Sequence, residues 1–251
     1  MAVIAGAIGF FVVLRGATFA AHSVPQGAFT GAAGAALVGA NTLLGVGAFS
    51  LLGVLAISRW GRRGRADVVT ALTLVALLGV GSLFLSMKEE YSEQTFALLF
   101  GEPLAVSASE IIPTATIGSA CVVVVALLYR RLVLTSVAPE LASAQGVKPE
   151  RVELGFLLAL GAATTMALPV VGALLVFSLM IGPPAAARFM TDQPAVAMAI
   201  SGALALVTVW AAIALCWWTN WPIGFFVGSL AAVWYVTGRL WGRGRAAVGS
   251  R

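Results

Sequence analysis

The chain has few charged residues, and this scarcity indicates whether its surroundings are water or lipid. Only 10% of its 251 residues are charged, whereas 60% are hydrophobic. A soluble domain carries far more charge on its surface, so the composition indicates an integral membrane protein. Hydrophobic runs recur along the whole length without a polar half. We therefore expect residues 1–251 to form a single membrane domain with no separate soluble domain.

Three reactive residue types are scarce, and each scarcity excludes a class of function. The two lysines, Lys88 and Lys148, lie outside any glycine-rich phosphate loop, so the chain should not hydrolyse ATP itself. Cys121 and Cys216 lie in separate apolar runs, which predicts small buried side chains rather than a disulfide or a metal pair. With one histidine, His22, no nucleophile and base can be paired, so we expect no enzyme activity.

What the chain has instead is a series of apolar runs, and their lengths predict membrane spans. A bilayer core of about 30 Å needs about 20 apolar residues per helix. The runs lie near residues 1–15, 17–40, 42–58, 66–87, 107–130, 152–168, 170–187, 194–216 and 221–240. They predict an all-α polytopic bundle of eight or nine transmembrane helices. Because the first run is short for a span, we expect either a short first helix or a start inside a longer one.

Arginines cluster at the ends of these runs, and the positive-inside rule assigns such clusters to the cytoplasm. The basic positions are Arg59, Arg62, Arg63 and Arg65; Arg130, Arg131, Lys148 and Arg151; and Arg239, Arg243, Arg245 and Arg251. The acidic stretch 88–93 and the tryptophan-rich stretch 217–221 then lie on the opposite side, and the chain ends in the cytoplasm. The net charge of +5 comes from these clusters, so we expect no nucleic-acid partner.

The loop over residues 135–150 differs from the others because it is long enough for a short helix outside the membrane. Pro139 and Glu140 suit a first helical turn, and Gly146 suits the position just after a helix end. A second helix start follows at Pro149. The residues alone leave two roles open, a capped connector and a docking element for a cytoplasmic partner.

Four stretches together resemble one family. The segments are "GFFVVLRGATF", "ALLFGEPLAVS", "APELASAQGVKPERVEL" and "VVGALLVFSLMIGPPAAARFM". In this order they resemble the permease subunits of zinc/manganese-type ABC importers, and the similarity extends over nearly the whole chain from residue 9 onward. Members of that family usually carry about 20 more residues before this point, enough for a complete first span, so the resemblance implies a truncated first helix.

The resemblance implies a transport mechanism with several partners. The permease would be a homodimer in the bacterial plasma membrane, with cytoplasmic P-loop ATPase subunits and an extracellular or periplasmic metal-binding protein. A divalent metal such as manganese, zinc or iron would be the substrate, and no cofactor would be bound by the chain. Residues 135–150 would be the coupling-helix loop that docks the ATPase. Its matching positions are Pro139, Glu140, Leu141, Ala142 and Gly146.

The resemblance also points to a translocation path around "FAAHSVPQGAFTG". Relatives usually carry the motif F-x-G-D-x-L-x-H-x-x-x-x-G here, with Asp and His one helical turn apart. Alignment on Phe19 and Gly31 puts His22 at the Asp position and Gln26 at the His position. A further position that is often acidic falls on Asn220. His22, Gln26 and Asn220 are therefore the candidate path residues, and the anionic ligand is missing at each.

Two alternatives remain open at this point. Ser23 and Gln26 fit a capping box with Pro25 in the first turn, so that His22 would only be hydrogen-bonded at a break in the helix. As a separate alternative to a metal permease, the chain would be a permease-like subunit that has lost its metal ligands. It would move a different solute or serve as a structural membrane partner.

Overall fold

The computed structural model describes residues 1–61, 66–87 and 108–249, and the regular structure in these ranges is entirely α-helical. Ten helices follow one another in the described part of the chain. They are α1 (Ala2–Leu14), α2 (Thr18–Val38), α3 (Thr42–Trp60), α4 (Ala66–Ser86), α5 (Ala108–Val137), α6 (Pro139–Ala144), α7 (Pro149–Val171), α8 (Ala173–Met190), α9 (Pro194–Thr219) and α10 (Ile223–Gly249). The prediction of an all-α protein is confirmed.

Each predicted apolar run corresponds to one helix, and α6 is an additional helix of six residues. In the described residues, six helices are long and apolar enough to cross a membrane: α3, α4, α5, α7, α9 and α10. The count of eight or nine spans stays a prediction. The acidic stretch 88–93, the segment "ALLFGEPLAVS" and the arginines at positions 62, 63 and 65 lie outside the described residues.

The chain divides into two compact units, Met1–Gly16 with Phe177–Arg251, and Ala17–Val176. In the first unit, α1 packs against α9 where both carry small residues. The Ser201 hydroxyl donates to the Gly6 carbonyl over 2.6 Å. A Cβ on Gly6 would lie 2.7 Å from the Ser201 carbonyl oxygen, which is closer than real Cβ atoms approach. Glycine at this position therefore permits the contact between the two backbones.

Helix α10 is held to two neighbours in the same unit. A Cβ on Gly182 of α8 would lie 2.5 Å from the Ala231 Cβ, and one on Gly238 would lie 2.8 Å from the Ala186 Cα. The indole Nε1 of Trp234 donates to the Thr208 hydroxyl of α9 over 3.0 Å. Small residues thus set the spacing of α8 and α10, while one polar contact joins α10 to α9.

In the second unit, α2 is the central helix and packs against α3, α4 and α7. Every residue from Ser23 to Ala33 is buried. Gly31 and Gly45 meet so closely that a Cβ on either would overlap the other's carbonyl oxygen. The predicted use of small residues for helix packing is confirmed here, and it brings the backbones of α2 and α3 into contact.

Helix α6 has the ends that the sequence predicts. Pro139 occupies the first turn with Glu140 beside it, and the helix ends at Ala144 with Gln145 as its C-cap. Gly146 follows in the left-handed region at φ 75°. Its N–H donates to the Ser143 carbonyl and the Val147 N–H donates to the Ala142 carbonyl, both over 3.0 Å. This pair of hydrogen bonds is a complete Schellman motif, so a surface helix stops before α7 begins at Pro149.

Candidate functional site

Helix α2 carries four polar side chains on one face. His22, Gln26 and Thr30 follow one another at intervals of four residues, and Ser23 lies beside this row. Residues four apart in an α-helix lie above one another, so the four form a continuous polar stripe. Because α2 is enclosed by other helices, the polar stripe faces protein rather than lipid. The sequence analysis identified His22 and Gln26 but missed Thr30, although its spacing was a signal for it.

Two members of the polar stripe tie α2 to α4. The Ser23 hydroxyl donates to the Thr70 carbonyl over 3.3 Å, and the Thr30 hydroxyl donates to the Leu77 carbonyl over 2.6 Å. The two bonds are seven residues apart on both helices, so α2 and α4 run parallel with a constant offset. Position 81 of α4 requires glycine at this contact, since a Cβ on Gly81 would lie 2.9 Å from the Thr30 hydroxyl oxygen.

Thr30→Val should weaken the contact between α2 and α4 without changing the volume of the side chain. The lost interhelical hydrogen bond should cost about 0.6 kcal/mol, with an upper bound of about 1.7 kcal/mol. The measurement is thermal unfolding of the purified protein in detergent. Thr42→Val is the matched control, because Thr42 is exposed at the start of α3. An equal fall in both variants would contradict the role of the Thr30 hydroxyl.

The helix does not break near His22, and this overturns the capping-box alternative. Helix α2 runs from Thr18 through Pro25 to Val38 without interruption. The Ser23 hydroxyl donates to Thr70 on another helix instead of accepting a local N–H. The local sequence pattern fails as a helix start because packing on the neighbouring helices holds the turns on both sides of Pro25. The cost is one missing backbone hydrogen bond, since proline has no N–H.

His22 and Gln26 lie one turn apart on α2. His22 is half-buried with its Nδ1 atom shielded from solvent, and Gln26 is 7% exposed. His22 is four residues from the first residue of α2, about 6 Å along the axis, and Gln26 lies one turn deeper. An imidazole nitrogen and an amide oxygen are neutral ligands, so they can contact a cation but cannot offset its charge. Within the described residues, no cluster of three His, Cys, Asp or Glu side chains could hold a metal.

Asn220 belongs to the first unit, where it is the C-cap of α9. It is exposed, adopts the left-handed conformation at φ 57°, and its N–H donates to the Cys216 carbonyl over 2.9 Å. Asparagine tolerates this conformation better than most residues. A backbone role therefore accounts for asparagine at this position, and its role on a transport path stays a prediction.

Comparison with known proteins identifies the family. The sequence pattern of the ABC 3 transport family matches residues 1–241. The chain belongs to the ABC 3 transport family. The resemblance found in the sequence to permease subunits of zinc/manganese-type importers is thereby confirmed, and the chain is a transport subunit.

Individual relatives are moderately similar over most of their length. The manganese transport system membrane protein MntC of Halalkalibacterium halodurans is 26% identical over 213 residues, covering 84% of this chain and 73% of that protein. The manganese import system permease protein ScaB of Streptococcus parasanguinis is 25% identical over 236 residues, covering 93% and 84%. The solved structure of PsaBC from Streptococcus pneumoniae in complex with a Fab has the same fold, with a TM-score of 0.84, 22% identity and coverage of 94% and 86%.

Within this ABC 3 family fold, helix α6 presents two distinct faces. Glu140 is exposed and Leu141 is 51% exposed, whereas Ala142 is completely buried. The exposed side of this six-residue helix thus carries one acidic and one apolar side chain. Of the predicted coupling residues, Glu140 and Leu141 are therefore available for contact with a partner. Ala142 is packed on the buried side of the helix, and Gly146 allows the turn that ends it.

Proposed function

We propose that this chain is the membrane permease subunit of an ATP-driven importer and that the polar stripe of α2 lines its path for a divalent metal. The observation that carries this proposal is that Ser23, Gln26 and Thr30 are buried, and His22 is half-buried, inside an apolar bundle. Polar side chains at membrane depth are costly unless they face a partner or a path for a polar solute. Ser23 and Thr30 donate to carbonyls of α4. His22 and Gln26 are the members of the stripe that we propose to contact the solute.

The proposed substrate is manganese, zinc or iron. Two relatives are named as manganese transport proteins, and this supports manganese as the first metal to test. A path must bind its ion strongly enough to admit it and weakly enough to release it. The neutral pair of His22 and Gln26 suits such transient binding. Asn220, at the end of α9, is proposed separately as a polar residue of the path.

The proposed topology has eight or nine spans in the bacterial plasma membrane with the C-terminus in the cytoplasm. Helix α2 is long enough to be one of these spans although its small and polar residues make it less apolar than α3 or α4. It is shielded from lipid by α3, α4 and α7, so it does not need an apolar surface. Arg59 near the end of α3 and the arginines on α10 support the cytoplasmic assignment of those ends.

The proposed assembly is a homodimer that docks separate ATPase subunits and receives its metal from an external binding protein. The exposed Glu140 and Leu141 on α6 support docking at this helix. ATP hydrolysis by the partner would then move the spans through α6 and alternate access to the path.

His22→Ala should reduce ATP-dependent uptake of manganese by about tenfold or more, because one of the few proposed path contacts is lost. The measurement is uptake of radioactive manganese into liposomes that contain the chain and its ATPase subunit. Phe19→Ala is the control, since Phe19 precedes His22 on the same helix and is 36% exposed. Unchanged uptake by His22→Ala at normal protein yield would show that His22 is not on the path.

A second candidate function is a divergent permease-like subunit that moves a different solute or only supports a related subunit. The absence of a carboxylate from positions 22 and 26, where relatives usually have Asp and His, favours it. Wild-type protein that transports none of manganese, zinc and iron under the same conditions would decide for this alternative.

A further inference from the structure

Helices α3 and α4 enclose an apolar groove on the second unit. Its volume is about 380 Å³, and its walls include Leu52, Leu55 and Ala56 of α3 and Ala76 and Leu77 of α4. Both helices are among those apolar enough to span the membrane, and most of their surface is exposed. Leu52 and Leu55 are 54% and 45% exposed. The groove is therefore open along helices that we expect lipid to surround.

One end of this groove is basic and aromatic. Arg59 and Trp60 line it in the last turn of α3, and both are exposed. They follow Leu52 by seven and eight residues, so the apolar part extends for roughly 10 Å from this end. Trp60 is the type of side chain that anchors a helix at the membrane surface. Within the described ranges, no carboxylate forms an ion pair with Arg59.

We propose that this groove binds one anionic phospholipid, with the headgroup phosphate on Arg59 and an acyl chain along Leu52, Leu55 and Leu77. An arginine presents several N–H donors in a plane that matches two phosphate oxygens. An apolar trough that ends in a basic group at the membrane surface is complementary to a lipid, whose charge and chain are joined in the same order. A soluble phosphate would use the arginine alone, and a neutral lipid would use the groove alone.

The lipid site is independent of which solute the chain transports, and lipid binding can be measured without transport. The purified full-length protein, stripped of lipid in detergent, is titrated with phosphatidylglycerol, with phosphatidylcholine or with inorganic phosphate. Bound lipid is counted by native mass spectrometry, and unfolding temperature is followed in parallel. We expect phosphatidylglycerol to bind at least fivefold more tightly than phosphatidylcholine. Inorganic phosphate alone should neither bind measurably nor raise the unfolding temperature.

Two variants test the two halves of the site. Arg59→Gln should weaken phosphatidylglycerol binding about fivefold, the factor expected when one basic residue near an anionic lipid is lost, and Arg59→Lys should retain most of it. Ala56→Phe should fill the groove and lower the occupancy of both lipids. The matched controls are Arg131→Gln and Ala120→Phe on α5, where both residues are exposed and neither lines the groove.

Several results would overturn the lipid site. Equal affinity for both lipids in the wild type would show that Arg59 does not select an anionic headgroup. Protection by inorganic phosphate equal to that by phosphatidylglycerol would remove the role of the groove. Dissociation of a dimer by Ala56→Phe, with lipid binding unchanged, would show that a second copy of the chain covers this face instead.

Discussion

Replacing Gly31 by leucine should prevent the normal packing of α2 against α3 and destabilise the protein by more than about 3 kcal/mol. The reason is that no space exists beside Gly31 for a side chain. A Cβ at this position already overlaps the Gly45 carbonyl oxygen and lies 2.9 Å from the Phe49 Cβ. Backbone atoms cannot rotate away as the end of a flexible side chain can. The expected result is a fall in unfolding temperature of roughly 10 °C or the loss of folded protein.

The control for this prediction is the same substitution at Gly79 of α4. Gly79 is also helical, but a Cβ there would have nothing within 4 Å. Leucine favours the helical conformation over glycine by up to about 1 kcal/mol, so Gly79→Leu should be neutral or slightly stabilising. Unfolding temperatures of the two variants in the same detergent decide the matter. Similar values for both would mean that the backbones of α2 and α3 can separate at little cost.

Reversing the exposed chemistry of α6 should uncouple ATP hydrolysis from transport. Glu140→Lys combined with Leu141→Asp changes two exposed side chains of α6 while leaving the buried Ala142 in place. If the ATPase docks here and these two residues are hot spots of the interface, metal uptake should fall by at least about tenfold, since losing a hot spot costs about 2 kcal/mol or more. The measurements are metal uptake, ATP turnover and co-purification of the ATPase subunit.

Two controls separate docking from folding. Glu153→Lys reverses an exposed charge on the neighbouring α7 and should leave uptake unchanged. Ala142→Trp should instead lower the unfolding temperature, because the alanine is completely buried and its site cannot accept a large ring. Normal uptake and normal co-purification in the double variant at Glu140 and Leu141 would rule out α6 as the docking helix.

The sequence predicted the helices well because their signal is long and simple. An apolar run of about 20 residues has only one regular structure in a bilayer, since every backbone polar group must be paired within the segment. Some helix ends differ from the predicted ones because a helix can continue beyond its apolar run. Helix α5 extends to Val137 and α10 to Gly249. Helix α6 was predicted correctly from Pro139 and Gly146 because caps depend on neighbouring residues alone.

The environment of the candidate site could be predicted only in part. The motif positions of His22 and Gln26 are visible in the sequence, and so is the missing carboxylate. Whether Ser23 caps a helix or reaches a neighbour depends on α4, which begins more than forty residues later. The same holds for Ala142, whose burial no local pattern shows. Contacts between distant segments decide these positions, and a single sequence does not carry that information.

The two hydroxyl bonds between α2 and α4 have a mechanical consequence. Ser23 and Thr30 reach carbonyls with the same separation of 47 residues along the chain. A slide of α2 by one helical turn, about 5.4 Å, would break both bonds at once and push Thr30 against the next turn of α4. The two bonds therefore resist sliding of α2 along α4. In any conformational change of the protein, we therefore expect His22 and Gln26 on α2 to move together with α4 as one rigid unit.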